Sequence, residues 1–416
     1  MRGFKNRAEK FFGLIMVFVM VLSMTACDDT VENMPANGTV FIGEDDYTNI
    51  TDDEETTEED TEPESETEYT APEISIVMVG DILLHDRVEK SALQEDGTYN
   101  YEPIFTYLKD DIQAAGLAIV NQEVIIGGEE LGISGYPCFN ASFTMADALA
   151  RAGFDVVCHG TNHAMDKGKS GILNCISNWK EKYPEMAILG INENEEEYND
   201  IFVYEQDGIK IAVLNYTYGT NGIALPDNMP YAVDLLDEQK VVSDIRKAEE
   251  IADFTIVCPH WGTEYVLEET DAQRRWAQIF LENGVDLVIG THPHVIEPIE
   301  VLTDDNTGNQ MLVYYSIGNF VNWTGEIGSG VSNRMVGGMA EVTLTRDENG
   351  KVVIKDYGVT ALVSHLTEGT DGVTTMKLSE YTDELAAENK ISEQDSNFSR
   401  EYCINLCNKV WGELWK

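Results

Sequence analysis

The side chains best suited to chemistry recur in one setting in this 416-residue chain, directly after short apolar runs. Asp81 follows the run 74–79, Glu123 follows 117–120, and Asn162 and His163 follow 156–158. His260 and Glu264 come after 254–258, and His292 and His294 after 285–289. Counting His159, five of the seven histidines lie in these segments, so the clustering is more than chance placement of a common residue. Hard oxygen donors mixed with imidazoles suit Mn²⁺, Fe or Zn²⁺ and not calcium, and a set of this size fits one or two divalent ions, a pair sharing a bridging carboxylate. Such ions polarise a phosphoryl oxygen and lower the pKa of a bridging water. Each residue alone reads as an ordinary hydrogen-bonded structural group; their co-occurrence points to a metal site.

These residues need a scaffold that delivers strand ends to one place. The runs named above, with 209–214 and 311–315, are rich in Val and Ile with almost no polar alternation, the pattern of strands buried on both faces. Helical patterns over 145–152, 168–182, 238–251 and 270–283 separate many of them, which predicts an α/β fold. In that class sites form outside the carboxyl ends of strands, where these polar residues fall. Cys403, Cys407 and Trp411, with Leu406, Val410 and Leu414, make one face of a C-terminal helix predicted to pack on the body. No C-x-x-C pair is present, and Cys158 and Cys258 are predicted to be buried thiols.

The start of the chain reads differently. Arg2, Lys5, Arg7 and Lys10 precede the apolar run 11–22 and a small-residue end, the three regions of a secretory signal. Cys27 directly after Ala26 resembles the bacterial lipoprotein signal, which predicts lipidation at Cys27 and an extracytoplasmic, membrane-anchored protein; an uncleaved anchor or a plain signal with an incidental cysteine is the alternative. Residues 28–72 carry 17 carboxylates and no Lys or Arg, too much like charge to bury a core, and read as a disordered acidic linker. The rest holds 23 basic and 57 acidic residues, a balance of −34 that excludes a non-specific nucleic-acid binder and obliges any phosphate chemistry to use local cations.

The ordered motifs GD at 80–81, NQE at 121–123, TNHAMDKGKSG at 161–171, HWGTEY at 260–265, GTHPHVIEPIE at 290–300 and YSIGNFV at 315–321 resemble those of the CapA family of capsule-synthesis proteins. That resemblance, covering about 73–365, implies a calcineurin-like metallophosphatase fold with two β-sheets face to face and helices outside. It implies poly-γ-glutamate or related capsule biosynthesis or export, with a synthase or export complex as partner and an anionic surface polymer or phosphoester as substrate. It also implies roles. Asp81 matches the carboxylate of a first metal, Glu123 the bridging ligand, and Asn162, His260 and His292 ligands of a second metal. His294 matches a first-metal imidazole, and His163 the imidazole that serves the leaving group off the metals. Asp166 would keep His163 charged, as a general acid requires, or else cap the helix starting near Gly168.

Two departures bear on the metals. Leu83 stands where those phosphatases place a histidine, leaving His85 as the nearest imidazole, and Glu123 is one methylene longer than their Asp. Arg87 and Arg334 are candidate anion clamps, or ordinary salt-bridging surface residues. The domain reading is a signal at 1–27, a linker at 28–72, a metallophosphatase-like domain at 73–366 and a helical extension at 367–416. Two functions stay open, a working hydrolase or a non-catalytic assembly partner with a structural metal site.

Overall fold

Apolar runs without alternation need cover on both faces, and the register of the second sheet shows how they receive it. The structure is a computed structural model that describes residues 71–416. The signal, Cys27 and all but the last two residues of the acidic stretch lie outside them. Strands β1 (Glu73–Leu83), β2 (Leu117–Asn121), β3 (Val156–Cys158) and β4 (Ala187–Leu189) run parallel in the first sheet. The second sheet contains β5 (Phe202–Gln206), β6 (Ile209–Thr217), β7 (Phe254–His260), β8 (Leu287–Ile289), β9 (Ile299–Thr303) and β10 (Gln310–Tyr314) in the order β5-β6-β7-β8-β10-β9. Its inner four strands are parallel and its edges antiparallel. Ile211, Val213, Ile256, Cys258, Leu287, Ile289, Leu312 and Tyr314 join the large core shared with the first sheet. Their alternates Ala212, Leu214, Val257, Val288, Met311 and Val313 pack under two helices, Glu238–Ile251 and Asp271–Glu282. The sheets therefore meet face to face, with Cys258 Sγ 3.6 Å from Met78 Sδ across the interface.

Helices Thr144–Ala152 and Gly168–Lys182 bury Met145, Leu149, Ile172 and Ile176 against the first sheet. This is the layering implied by the resemblance. Local chemistry sets the helix starts: Asp237 accepts from Lys240 N–H, and Thr270 forms a capping box with Gln273.

The sequence reading stops short of the first sheet's other half. A short strand β11 (Asn319–Asn322) pairs with the end of β1, and β12 (Val336–Arg346), β13 (Val352–Leu366) and β14 (Val373–Lys377) extend the sheet in antiparallel order. The stretch after 366 thus begins as a strand. It ends in helix Arg400–Trp411, which buries Cys403, Leu406, Cys407 and Trp411 as its apolar face predicts. All six cysteines among the described residues are free, and Cys158 and Cys258 are buried. Among these residues no helix is long and apolar enough to cross a membrane.

Helix Asp86–Ala92 carries Glu89 into the interior, where Tyr101 Oη donates to its Oε2 at 2.6 Å. Burial pushes this carboxyl from an ordinary 4.5 up to about 8, and the tyrosine only partly offsets it. The unfolded chain therefore gives up this proton first as pH rises. The group's stabilising contribution is complete below about pH 4.5 and is lost as pH climbs through about 8. Glu89→Gln should remove that part of the decline, so its melting temperature should gain on the wild type progressively between pH 5 and 8; parallel curves would contradict it.

Candidate metal centre

Backbone approach builds the floor of the site. Asp81 N–H donates to Gly318 O at 3.0 Å, and a Cβ on Gly80 would run into that same carbonyl, so this close approach at the irregularity in β1 needs glycine. Asp81, near the end of β1, is fully buried, while Glu123, two residues past β2, enters from the next strand. Asn162 and His163 lie on the turn after β3, His260 ends β7, and His292 and His294 follow β8. The last two do not sit on an extended segment: both hold left-handed backbone, with φ 99° and 59°. Their rings nonetheless reach one cluster, 5.7 Å apart.

Glu123 is at the centre. Its Oε1 lies 3.6 Å from both His260 Nε2 and His294 Nε2 and 4.0 Å from His163 Nε2. One donor atom each from Glu123, His292 and His294 falls within 4.8 Å of the others. Asp81 Oδ2 is 3.1 Å from His294 Nδ1, and Asn162 Oδ1 is 2.9 Å from His260 Nε2. Both oxygens of Glu123 and Nδ1 of His292 are buried without a hydrogen-bond partner. Orphaned buried acceptors are costly, and a divalent cation is the group that satisfies a carboxylate and an imidazole together. Glu123, His292 and His294 fit such an ion in both donor type and spacing, and Asp81, Asn162 and His260 bring further donors of suitable type against them.

The charges agree with this. Burial raises Asp81, and the neighbouring Glu123 carboxylate adds to the effect. Glu123 moves the other way, because His294, His260 and His163 outweigh the burial that opposes its charge. Burial also opposes charge on His294, yet Glu123 and Asp81 hold its proton and lift it to about 9, whereas burial and the other imidazoles drive His292 well below its usual range. A cation bound here would take the place of the proton that Glu123 and Asp81 favour on His294.

His163 is set off from this group. Its Nδ1 is 2.7 Å from Asp166 Oδ2, and Phe139 packs edge-on at 4.6 Å between centroids. Asp166 does not cap the following helix, whose N-cap is Lys167; its Oδ2 instead also accepts from Phe139 N–H at 2.7 Å. Three further residues of the sequence reading are not among these six. His159 is buried, takes Trp179 Nε1–H at 3.2 Å, and is held near 3 by burial. Glu264 is exposed, and His85 packs edge-on against Phe139 at 5.2 Å. The sequence reading also missed the supports: Asn121 donates to Asp81 at 2.8 Å, Thr291 Oγ1 sits 3.0 Å from His260 Nδ1, and Asn319 Oδ1 sits 3.1 Å from His294 Nδ1. Asn121 and Asn319 were visible inside the NQE and YSIGNFV motifs; Asn221, 3.4 Å from His163 Nδ1, comes from a loop with no signal.

Residues 75–324, which include all six of these side chains, match the family described as bacterial capsule synthesis protein PGA_cap. The chain belongs to that family. It is similar to the PGA biosynthesis protein CapA of Bacillus subtilis, 28% identical over 274 residues covering 62% of this chain and 66% of that protein. The capsule biosynthesis protein CapA of Bacillus anthracis is 26% identical over 264 residues, covering 60% of this chain and 61% of that protein. The chain thus spans somewhat less than two thirds of the length of these curated relatives. Similar solved structures include the NAD nucleotidase of Haemophilus influenzae, at 12% identity and TM-score 0.43 with 83% of this chain and 64% of that one covered. A 5'-nucleotidase precursor from Thermus thermophilus gives 14% identity and TM-score 0.44, with 70% and 54% covered.

Proposed function

We propose that this protein serves capsule biosynthesis at the cell surface, in making or exporting poly-γ-glutamate or a related anionic polymer, and that its buried cluster is a metal-dependent hydrolase site of the phosphoesterase type. The observation that carries the catalytic part is His163. A purely structural ion needs only its ligands, whereas here an imidazole oriented by Asp166 stands 4.0 Å from the central carboxylate with its Nε2 edge turned toward the cluster. Asp81, Glu123, Asn162, His260, His292 and His294 would hold one or two divalent ions, which supply Lewis acidity toward a phosphoryl or carbonyl oxygen. His163 would give a proton to the departing oxygen or nitrogen, and Asp166 would fix which ring nitrogen faces it. Asn121, Thr291 and Asn319 hold the ligands in place. Turnover of a phosphoester or of a surface polymer by the metal-loaded protein is the test.

A second reading, a non-catalytic assembly or export partner, draws support from Leu83, an apolar residue buried where the resemblance implies a ligand, which weakens a first ion. A metal-loaded protein that turns over neither substrate class would favour it. For location we propose lipid attachment at Cys27, with the acidic linker holding the body off the membrane. Cys27→Ser should then accumulate as precursor or leave the membrane fraction, and unchanged fractionation and processing would refute the anchor.

A further inference from the structure

A strongly anionic body has to receive an anionic substrate, and metal ions alone leave the outer oxygens of that substrate without a partner. Among the described residues Arg334 is the one Lys or Arg that is buried, at 7% exposure, so it is not the surface residue its sequence allowed. It lies beyond the residues matched to the family. Its position is tied to the metal centre twice. The Arg334 carbonyl accepts from Asn319 Nδ2 at 3.0 Å, the same Asn319 that contacts His294 Nδ1 and donates to the His294 carbonyl. Its guanidinium stacks 3.5 Å from the centroid of Tyr265, and that ring lies 5.9 Å from the ring of His294. Tyr265 is fixed in turn by donating its N–H to Pro293 O at 2.8 Å, between the two histidines.

Most buried arginines are fully paired; this one is half paired. Nη2 contacts Oε2 of Glu326 at 2.6 Å, while Nε is buried with no acceptor. Those two N–H groups form one edge of the guanidinium, the edge that takes both oxygens of a carboxylate or phosphate side by side. Glu326 uses half of that edge from a side chain 59% exposed, so an incoming oxyanion can displace it at little desolvation cost.

We infer that Arg334 is the substrate-recognition residue of this site, binding a phosphate or carboxylate oxyanion through its Nε and Nη2 edge, and that Glu326 occupies this edge until the oxyanion replaces it. The inference rests on reading the metal cluster as the site of reaction. It names the substrate class as one that offers an anionic oxygen besides the bond that breaks, which a phosphoester supplies through the outer oxygens of its own phosphoryl group and a polyglutamate through neighbouring carboxylates.

The test is calorimetric titration of the full chain with inorganic phosphate and, separately, with acetate, each with and without Mn²⁺. Arg334→Gln should weaken binding of the preferred anion by roughly ten- to a hundredfold, the worth of a charge-assisted pair, with bound metal unchanged. Arg334→Lys should restore only part, because an ammonium lacks the planar fork. Glu326→Gln should strengthen binding several-fold by freeing the edge. The stronger of the two anions identifies the class. Equal affinity in wild type and Arg334→Gln, or no anion binding by the wild type, overturns the inference. Should Arg334→Gln fail to fold, Glu326→Gln decides, and no gain in affinity overturns it. Absence of metal uptake counts against the hydrolase reading alone, since the metal-free titrations still report on Arg334.

Discussion

Incubated with Mn²⁺, Zn²⁺ or Fe²⁺, the purified protein should retain one or two ions per chain, and the double variant His292→Ala, His294→Ala should lose most of that uptake. The expectation follows from what the cluster lacks. Glu123 presents two buried oxygens and His292 a buried Nδ1 with no partner, each unmet group costing about 1–3 kcal/mol. A bound ion satisfies these groups at once, and because the cage exists only in the folded chain, binding is also stabilisation, roughly 2.7 kcal/mol at a hundredfold excess over Kd. Uptake should release protons, since His294, lifted to about 9, gives its proton up to a ligating role. Removing His292 and His294 takes away two of the three donors gathered within 4.8 Å and leaves Glu123 with His260 alone at 3.6 Å. Elemental analysis finding no metal after incubation with all three ions would end the metal reading, and so would a melting temperature unmoved by them.

The residues of the cluster were legible because one rule of α/β folds applies to them. Side chains at the carboxyl ends of parallel strands converge, and the apolar runs before Asp81, Glu123, Asn162, His260 and His292 marked those ends without reference to any tertiary contact. What holds these side chains in place was less visible. Asn319 reaches His294 only because β11 pairs in parallel with the end of β1, setting Asp81 opposite Asn319, a pairing between residues far apart in sequence. The antiparallel half of the first sheet was missed for a local reason. β12 opens with Val336-Gly337-Gly338, which reads as a loop, yet a Cβ at Gly337 would collide with Asn319 O and one at Gly338 would crowd Val359 and Trp411. Close packing, not turning, put those glycines there. Arg334 shows the same limit. Its exposure was set by Tyr265 and Glu326, residues that no spacing rule places beside it.

If the cluster is a hydrolase site, His163→Ala should lower turnover of the metal-loaded protein by roughly 10²–10⁴-fold, the loss typical of a missing general acid, while leaving bound metal intact. The separation of the two readouts comes from geometry. His163 Nε2 is 4.0 Å from Glu123 Oε1, further than the 3.6 Å of His260 and His294, and His163 does not belong to the compact group of Glu123, His292 and His294. Its other nitrogen, Nδ1, is taken by Asp166 at 2.7 Å, so Nε2 is the atom free to meet a leaving group. Aryl phosphates, whose leaving groups need little protonation, should suffer less than alkyl esters, a difference that loss of metal would not produce. Asp166→Asn should act in the same direction but more weakly, because the Phe139 N–H that orients Oδ2 at 2.7 Å remains while the carboxylate charge beside His163 does not. If His163→Ala strips the metal, His163 is a ligand and the division of labour on the turn after β3 changes hands with Asn162. If no phosphoester or surface polymer is turned over and His163→Ala still supports a normal capsule in cells, the imidazole serves structure, and the protein acts in assembly.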